Sequence, residues 1–490
     1  MTPDYLELWR ALAGESALVV GALIVLGCDL TLGRHASLER RWGVATFLGL
    51  VAIVAATLLG IRLGAVGSVV GNAFMLDVLG VGTRTGVLVL AGLTLLVASN
   101  TTRLRNPAEF VAIVLFATTG FMLMAIAQQL LLAFLAIELA SLSLYVLVGF
   151  DKTRPESAEA ALKYFLVGGM SAAFLLFGFS LLYGLTGSID FGPIAASLER
   201  QGLTPLLAVA LVMVLVAFGF KAAAAPFHLW APDAYQGAPT TAAALVASAS
   251  KLAGFAFFVR LLWPGLGSVA GNLSTQHATP GWLVVIAAIS GVSMLIGNFA
   301  ALAQSNLRRL LAYSAIAHAG VLLLGVVAAG TAGTGPLFYY ASTYGLATVG
   351  AFGVVAVLER AGVGPRLEDL AGLHRRSPLL AGCLAVFILS LAGIPPLAGF
   401  FGKFAVFAAA LQLGGVAGVA GWLTLAAIFL SAVALYYYLI VLKHALVAAP
   451  VPERDAPISV PPTSAVALIF SAGLLLILGT FPSLLLEIFR

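Results

Sequence analysis

Charge is what this chain has least of. Asp, Glu, Lys and Arg together make up 9% of its 490 residues, where a soluble globular domain carries about a quarter. Such a composition cannot cover a water-facing surface, and a soluble globular fold is excluded. Cysteine is nearly as rare. Cys28 and Cys383 stand in separate apolar stretches with no CxxC pair or neighbouring histidine, so no metal site or redox pair is indicated. The glycine run "GVGTRTG" misses the GxGxxG spacing and follows no strand, which leaves no nucleotide-binding loop. No basic stripe with interleaved aromatics lies outside the apolar runs, so nucleic acid is not an expected partner. No cofactor is expected in this chain.

What is abundant is hydrophobic length. Apolar residues are 61% of the total, in runs of about 20, the length an α-helix needs to cross a bilayer. Strands are excluded as the spanning elements by that length. The sequence predicts an all-α integral membrane protein of about fourteen spans, near 12–30, 43–61, 82–99, 108–127, 129–149, 161–184, 204–235, 239–262, 281–303, 308–329, 335–359, 378–412, 419–445 and 464–486. The opening "MTPDYLELWR" has two acids and one arginine where a cleavable signal would be basic, so the first span is expected to remain.

Orientation follows from sorting the 25 lysines and arginines by loop. Loops after odd-numbered spans, with the end of span thirteen, hold Arg34, Arg40, Arg41, Arg103, Arg105, Lys152, Arg154, Arg308, Arg309, Arg360, Arg366, Arg375, Arg376, Lys443 and Arg454. The other side holds Arg10, Arg62, Arg84, Arg200, Arg260 and Arg490. Both termini should therefore face outward. Four lysines remain, Lys163, Lys221, Lys251 and Lys403, and all fall inside spans.

A charge at the centre of a membrane helix costs about 2.5–3.5 kcal/mol on insertion scales, so one kept there usually faces a bundle interior or a water path. Glu138 lies near mid-membrane in "FLAIELASLSLYVLVGF", with Ser141 and Tyr145 on the same face. It is expected to be functional, against the blander reading of a neutral carboxyl that only packs. Lys221 stands five residues before Pro226 in "GFKAAAAPFHLW", with His228 and Asp233 following. A proline there breaks the helix, and irregular backbone at that depth marks a cavity. Lys251 is twelve residues into span eight with Ser248 at i−3. Lys403 follows "SLAGIPPLAGFFGK" in a segment too long for one straight crossing, interrupted at Pro395 and Pro396. Lys163 is shallower and could snorkel to the headgroups. His318 shares a face with Ser314, and a core histidine and a proton relay are equally compatible with that.

The two broken spans, seven and twelve, lie five spans apart. An inverted-topology repeat, spans four to eight against nine to thirteen, would place them so. The expected organisation is a three-helix segment at 1–107, a first five-helix half-channel at 108–262, a second at 281–445 and a terminal helix at 446–490.

Five blocks, "ELASLSLYVLVGF", "SAEAALKYFLVGGMSAAFLLFGFSLLYGLTGS", "FGFKAAAAPFHLWAPDAYQGAPT", "SNLRRLLAYSAIAHAG" and "GIPPLAGFFGKF", resemble in order those of subunit N of bacterial NADH:quinone oxidoreductase, respiratory complex I. The likeness covers roughly residues 70 to 445. It implies a proton-pumping, antiporter-like membrane-arm subunit with fourteen helices and two inverted five-helix repeats. It further implies Glu138 and Lys221 as a coupled pair, Lys251 as central relay, Lys403 as the group of the second half-channel and Lys163 as the sixth-helix lysine of the family. NADH, FMN, iron–sulfur clusters and quinone would belong to partner subunits. The neighbours implied are the antiporter-like subunit M and small subunits such as K and J, with lipids around them, in a bacterial inner membrane and with both termini periplasmic. Subunit M would carry glutamate in place of Lys403, and subunit L would extend into a long lateral helix, whereas this sequence stops at Arg490. The alternative is a subunit of a Mrp-type Na⁺/H⁺ antiporter or a membrane-bound hydrogenase, which share the broken helices and lysines. A membrane scaffold without transport would leave the buried charges unexplained.

Overall fold

The computed structural model describes residues 5–31, 33–99, 101, 104–273, 279–413, 415–449 and 456–489. Arg103, Arg454 and Arg490 of the orientation argument lie outside them. Among the described residues, thirteen helices are long and apolar enough to cross a membrane, and two shorter apolar ones, Pro378–Ala392 and Ala398–Leu411, together make a further crossing at span twelve. Many starts are set locally. Asp77, Thr204 and Asn306 accept hydrogen bonds from the first free backbone N–H groups, and Pro107, Pro155, Pro205, Pro378 and Pro462 occupy the first turn, where a missing N–H costs nothing.

Spans eight (Thr240–Gly265), ten (Leu307–Ala332) and eleven (Gly335–Arg360) are buried along nearly their whole length and form the axis of the molecule. Spans one (Ala13–Thr31), two (Leu38–Leu63) and six (Pro155–Thr186) bury about a third and carry the outer surface. Between apolar helices in lipid, close packing replaces the hydrophobic drive. Spans nine (Trp282–Leu302) and ten approach so closely that a Cβ on Gly297 would lie 2.4 Å from the Ala317 nitrogen.

Span four (Pro107–Ile126) packs against span five (Leu130–Val148) and span eight, as span nine packs against span ten and span thirteen (Val419–Val447). Span six packs on the first half of span seven (Pro205–Ala222), as span eleven packs on both halves of span twelve. An isolated β-bridge Gln129↔Asp190 ties the loops flanking spans five and six, and Asn306↔Arg366 does the same for spans ten and eleven.

Sequence patterning missed three elements. A hairpin pairs Gly67–Val69 with Phe74–Leu76 between spans two and three, and an amphipathic helix, Phe191–Gln201, precedes span seven. Span eight is interrupted at Ser248 (φ −114°, ψ −82°), three residues before Lys251. No proline marks that interruption. The Ser248 hydroxyl donates to the Ala244 carbonyl at 2.6 Å, and such a back-bond competes with the helix ladder.

Candidate functional site

Both predicted breaks exist, and both are built as Schellman caps. In span seven the Ala224 N–H reaches the Gly219 carbonyl and the Ala223 N–H that of Phe220. In span twelve Ile394 reaches Leu389 and Gly393 reaches Ser390. The left-handed residue is Gly393 (φ 87°) in one and Ala223 (φ 55°) in the other. A side chain at that conformation costs of order 1 kcal/mol, so span seven stores strain that span twelve avoids. The N–H groups freed beyond each break are met by serines: Ala225 donates to Ser293 Oγ at 2.9 Å, and Gly399 to Ser390 Oγ at 3.2 Å.

Lys221 is 6% exposed, Lys251 2%, His318 5% and Lys403 7%, so all four belong to the interior. The Lys221 ammonium donates to Ser141 Oγ at 3.2 Å. Glu138, half-buried, lines the same small cavity with Ser141, Tyr145, Ser171 and Lys221, and no direct ion pair joins it to the lysine among the described residues. Lys251 donates to the Ala315 carbonyl at 2.5 Å and lies over the Tyr344 ring, 5.5 Å from its centroid. Lys403 donates to the Ala392 carbonyl at 3.0 Å, at the broken end of the preceding half-helix. His318 lines one cavity with Lys403, Asn298, Ser431 and Tyr437, while its ring lies 5.0 Å from that of Tyr344. It therefore stands between the two lysines.

Lys163 is elsewhere. Its side chain is 45% exposed and paired with Glu159 at 2.6 Å and Asp233 at 2.8 Å. Asp233 also accepts from Arg309 at 2.7 Å, so one carboxylate ties span six to span ten. Tyr164, Phe220 and Trp230, which adjoin Lys163 and Lys221 in sequence and open the Asp233 half-helix, form one aromatic cluster, with Tyr164 and Trp230 stacked 4.3 Å apart.

Three arginines read from the sequence as loop charges prove to be buried in helices with distant acids. Arg84 pairs with Glu15 at 2.5 Å, Arg260 with Asp77 at 2.6 Å and Arg308 with Glu359 at 3.0 Å. Taking them out of the loop sorting leaves its bias in the same direction. Sequence reasoning also missed Tyr340 and Tyr438, which hydrogen-bond the two ring nitrogens of His318. The only available signal was the clusters of hydroxyl side chains in "FYYASTYG" and "ALYYYL", with nothing to single out Tyr340 or Tyr438.

Residues 127–432 match the family described as NADH:quinone oxidoreductase/Mrp antiporter, TM. The chain is 48% identical over 504 aligned residues, 99% of each chain, to NADH-quinone oxidoreductase subunit N 2 of Acidobacterium capsulatum. Among solved structures it is similar to a chain of respiratory complex I from Thermus thermophilus with bound aureothin, with TM-score 0.78 and 33% identity over 97% of this chain and 98% of that one. A chain of the Mrp complex from Dietzia sp. shares the fold, with TM-score 0.80 and 24% identity over 97% and 96%.

Proposed function

Because the chain belongs to the subunit N family of NADH-quinone oxidoreductase, antiporter-like membrane subunits of a proton-translocating complex, we propose that its buried charges form the proton path, in the order Glu138 and Lys221, Lys251, His318, Lys403. The observation that carries this reading is the row of four interior cationic or basic groups, three of them beside helix breaks, with cavities at both ends. Lys221 is bonded to a neutral hydroxyl and so is not locked in an ion pair. With Glu138 charged and near, the lysine keeps its proton. When that charge is neutralised or moved, low-dielectric surroundings favour release. Lys163, paired with Glu159 and Asp233, contributes to the hydrated entrance.

The inverted repeats are spans four to eight and nine to thirteen, supported by the recurring packing partners, the paired β-bridges and the matched caps. Energy comes from redox centres in other subunits, where NADH, FMN, iron–sulfur clusters and quinone act. Leu131, Leu135, Leu142 and Val146 make an exposed apolar stripe on span five with Glu138 at its edge. A carboxylate in that position favours a protein neighbour over lipid, and subunit M suits it; small subunits such as K and J complete the surroundings. Both termini face the periplasm of a bacterial inner membrane. The likeness to the Mrp chain, at 24% identity, supports a shared fold only, and the matched family spans both classes, so the subunit N relatives decide between them.

The test is Lys221→Arg beside Lys221→Ala in the whole complex. Arginine keeps the charge but effectively never deprotonates. Both variants should assemble on a native gel, and both should lose most of the protons moved per quinone reduced in vesicles. Full pumping by the arginine variant would make Lys221 a fixed charge and send the proton by another route.

A further inference from the structure

His318 is held at both ring nitrogens at once. Its Nδ1 is 2.5 Å from the Tyr340 hydroxyl and its Nε2 3.0 Å from that of Tyr438. A neutral imidazole has one N–H and one lone pair, so one tyrosine donates to the ring while the other accepts from it. The chain continues, because the Tyr438 hydroxyl is also hydrogen-bonded to Ser314 Oγ. Ser314 precedes Ala315, whose carbonyl takes the Lys251 ammonium. At the other end, the Tyr340 ring packs so close to Gly402 that a Cβ there would come within 2.6 Å of it, and Gly402 precedes Lys403. Ser314, His318, Tyr340 and Tyr438 are all buried, on spans ten, eleven and thirteen.

We propose that Tyr340 and Tyr438 carry the proton into and out of His318, so that Ser314, Tyr438, His318 and Tyr340 bridge the interval from Lys251 to Lys403. This rests on the proton path proposed above. In one passage the Tyr438 hydroxyl gives its proton to Nε2 and takes another from the Ser314 side, supplied by the Lys251 ammonium through water. The imidazolium gives its Nδ1 proton to the Tyr340 oxygen, and Tyr340 releases its own through water to the Lys403 amine. Every hydroxyl loses one proton and gains one. Lys251 ends neutral, Lys403 ends charged, and the imidazole ends as the opposite tautomer. The arrangement thus fixes both the position of the ring and the direction in which its tautomer must reset before the next passage.

The experiment compares Tyr340→Phe, Tyr438→Phe and Lys403→Ala in the intact complex, with Tyr339→Phe as control. Tyr339 also loses a buried hydrogen bond on substitution, to the Leu478 carbonyl at 2.7 Å, but it stands outside the chain. Protons moved per quinone reduced should fall in both chain variants by as much as in Lys403→Ala, and stay unchanged in Tyr339→Phe. Wild-type pumping by both chain variants, with loss in Lys403→Ala, overturns the tyrosine relay and leaves the proton path standing. Normal pumping by Lys403→Ala overturns the path itself. Equal loss in the control assigns the tyrosines to packing and also overturns the relay. Where a phenylalanine variant fails to assemble, 3,5-difluorotyrosine at the same position keeps the hydroxyl but makes it more acidic. The pH profile of pumping should then move, and an unmoved profile overturns the proposal.

Discussion

Glu138 shows how little of a charge's role lies in direct contact. It shares a cavity with Lys221 but does not grip it, and the lysine's hydrogen bond goes to Ser141. In the proposed path the carboxylate acts through its field, which in a low-dielectric interior reaches beyond contact distance. Glu138→Gln keeps the shape and removes only that field. It is therefore expected to leave assembly nearly intact and cut proton transport severalfold, read as acidification of vesicles during quinone reduction; undiminished transport would take Glu138 out of the mechanism. The lysines and the glutamate were legible in the sequence because a charge inside an apolar run is conspicuous. Their partners were not. Tyr438 is 120 residues from His318 and Tyr340 is 22, and nothing local announces either contact. For the same reason Arg84, Arg260 and Arg308 read as loop cations, since their acids lie 69, 183 and 51 residues away.

At the scale of the element, the breaks were legible where proline wrote them and illegible where a serine did. Pro226 and Pro396 each follow a left-handed residue by three positions, whereas Ser248 bends span eight with a hydroxyl that looks harmless in a string of small residues. The half-helix Trp230–Gly237 that follows the first break is held at its far end by Arg308. That guanidinium bonds the Tyr235 carbonyl at 2.8 Å, the Ala238 carbonyl and Glu359, whose second oxygen accepts from Thr240 at 2.6 Å. Truncating one member of a buried pair of this kind costs about 3–5 kcal/mol. Arg308→Ala should accordingly lower the thermal unfolding midpoint of the purified complex by several degrees, and a melt superimposable on wild type would show that the clamp bears little of the stability.

For the molecule as a whole, the span count and crossing pattern came from composition and length alone, with boundaries shifted by a few residues. Orientation makes a separate prediction. In a background lacking Cys28 and Cys383, single cysteines at the exposed positions Arg40 and Arg375 should react with a membrane-impermeant thiol reagent only from the cytoplasm, and one at Arg200 only from outside. Reversed labelling would invert the assignment. What the sequence could not convey is how far the halves depend on each other. The hydroxyl that satisfies the open backbone of span seven belongs to Ser293, in span nine. The dependence runs one way, because the Gly399 N–H beyond the break in span twelve is met by Ser390 of the same span. Inherited alone, the segment of spans four to eight would carry an unmended helix at its centre, beside the lysine on which the proposed path turns.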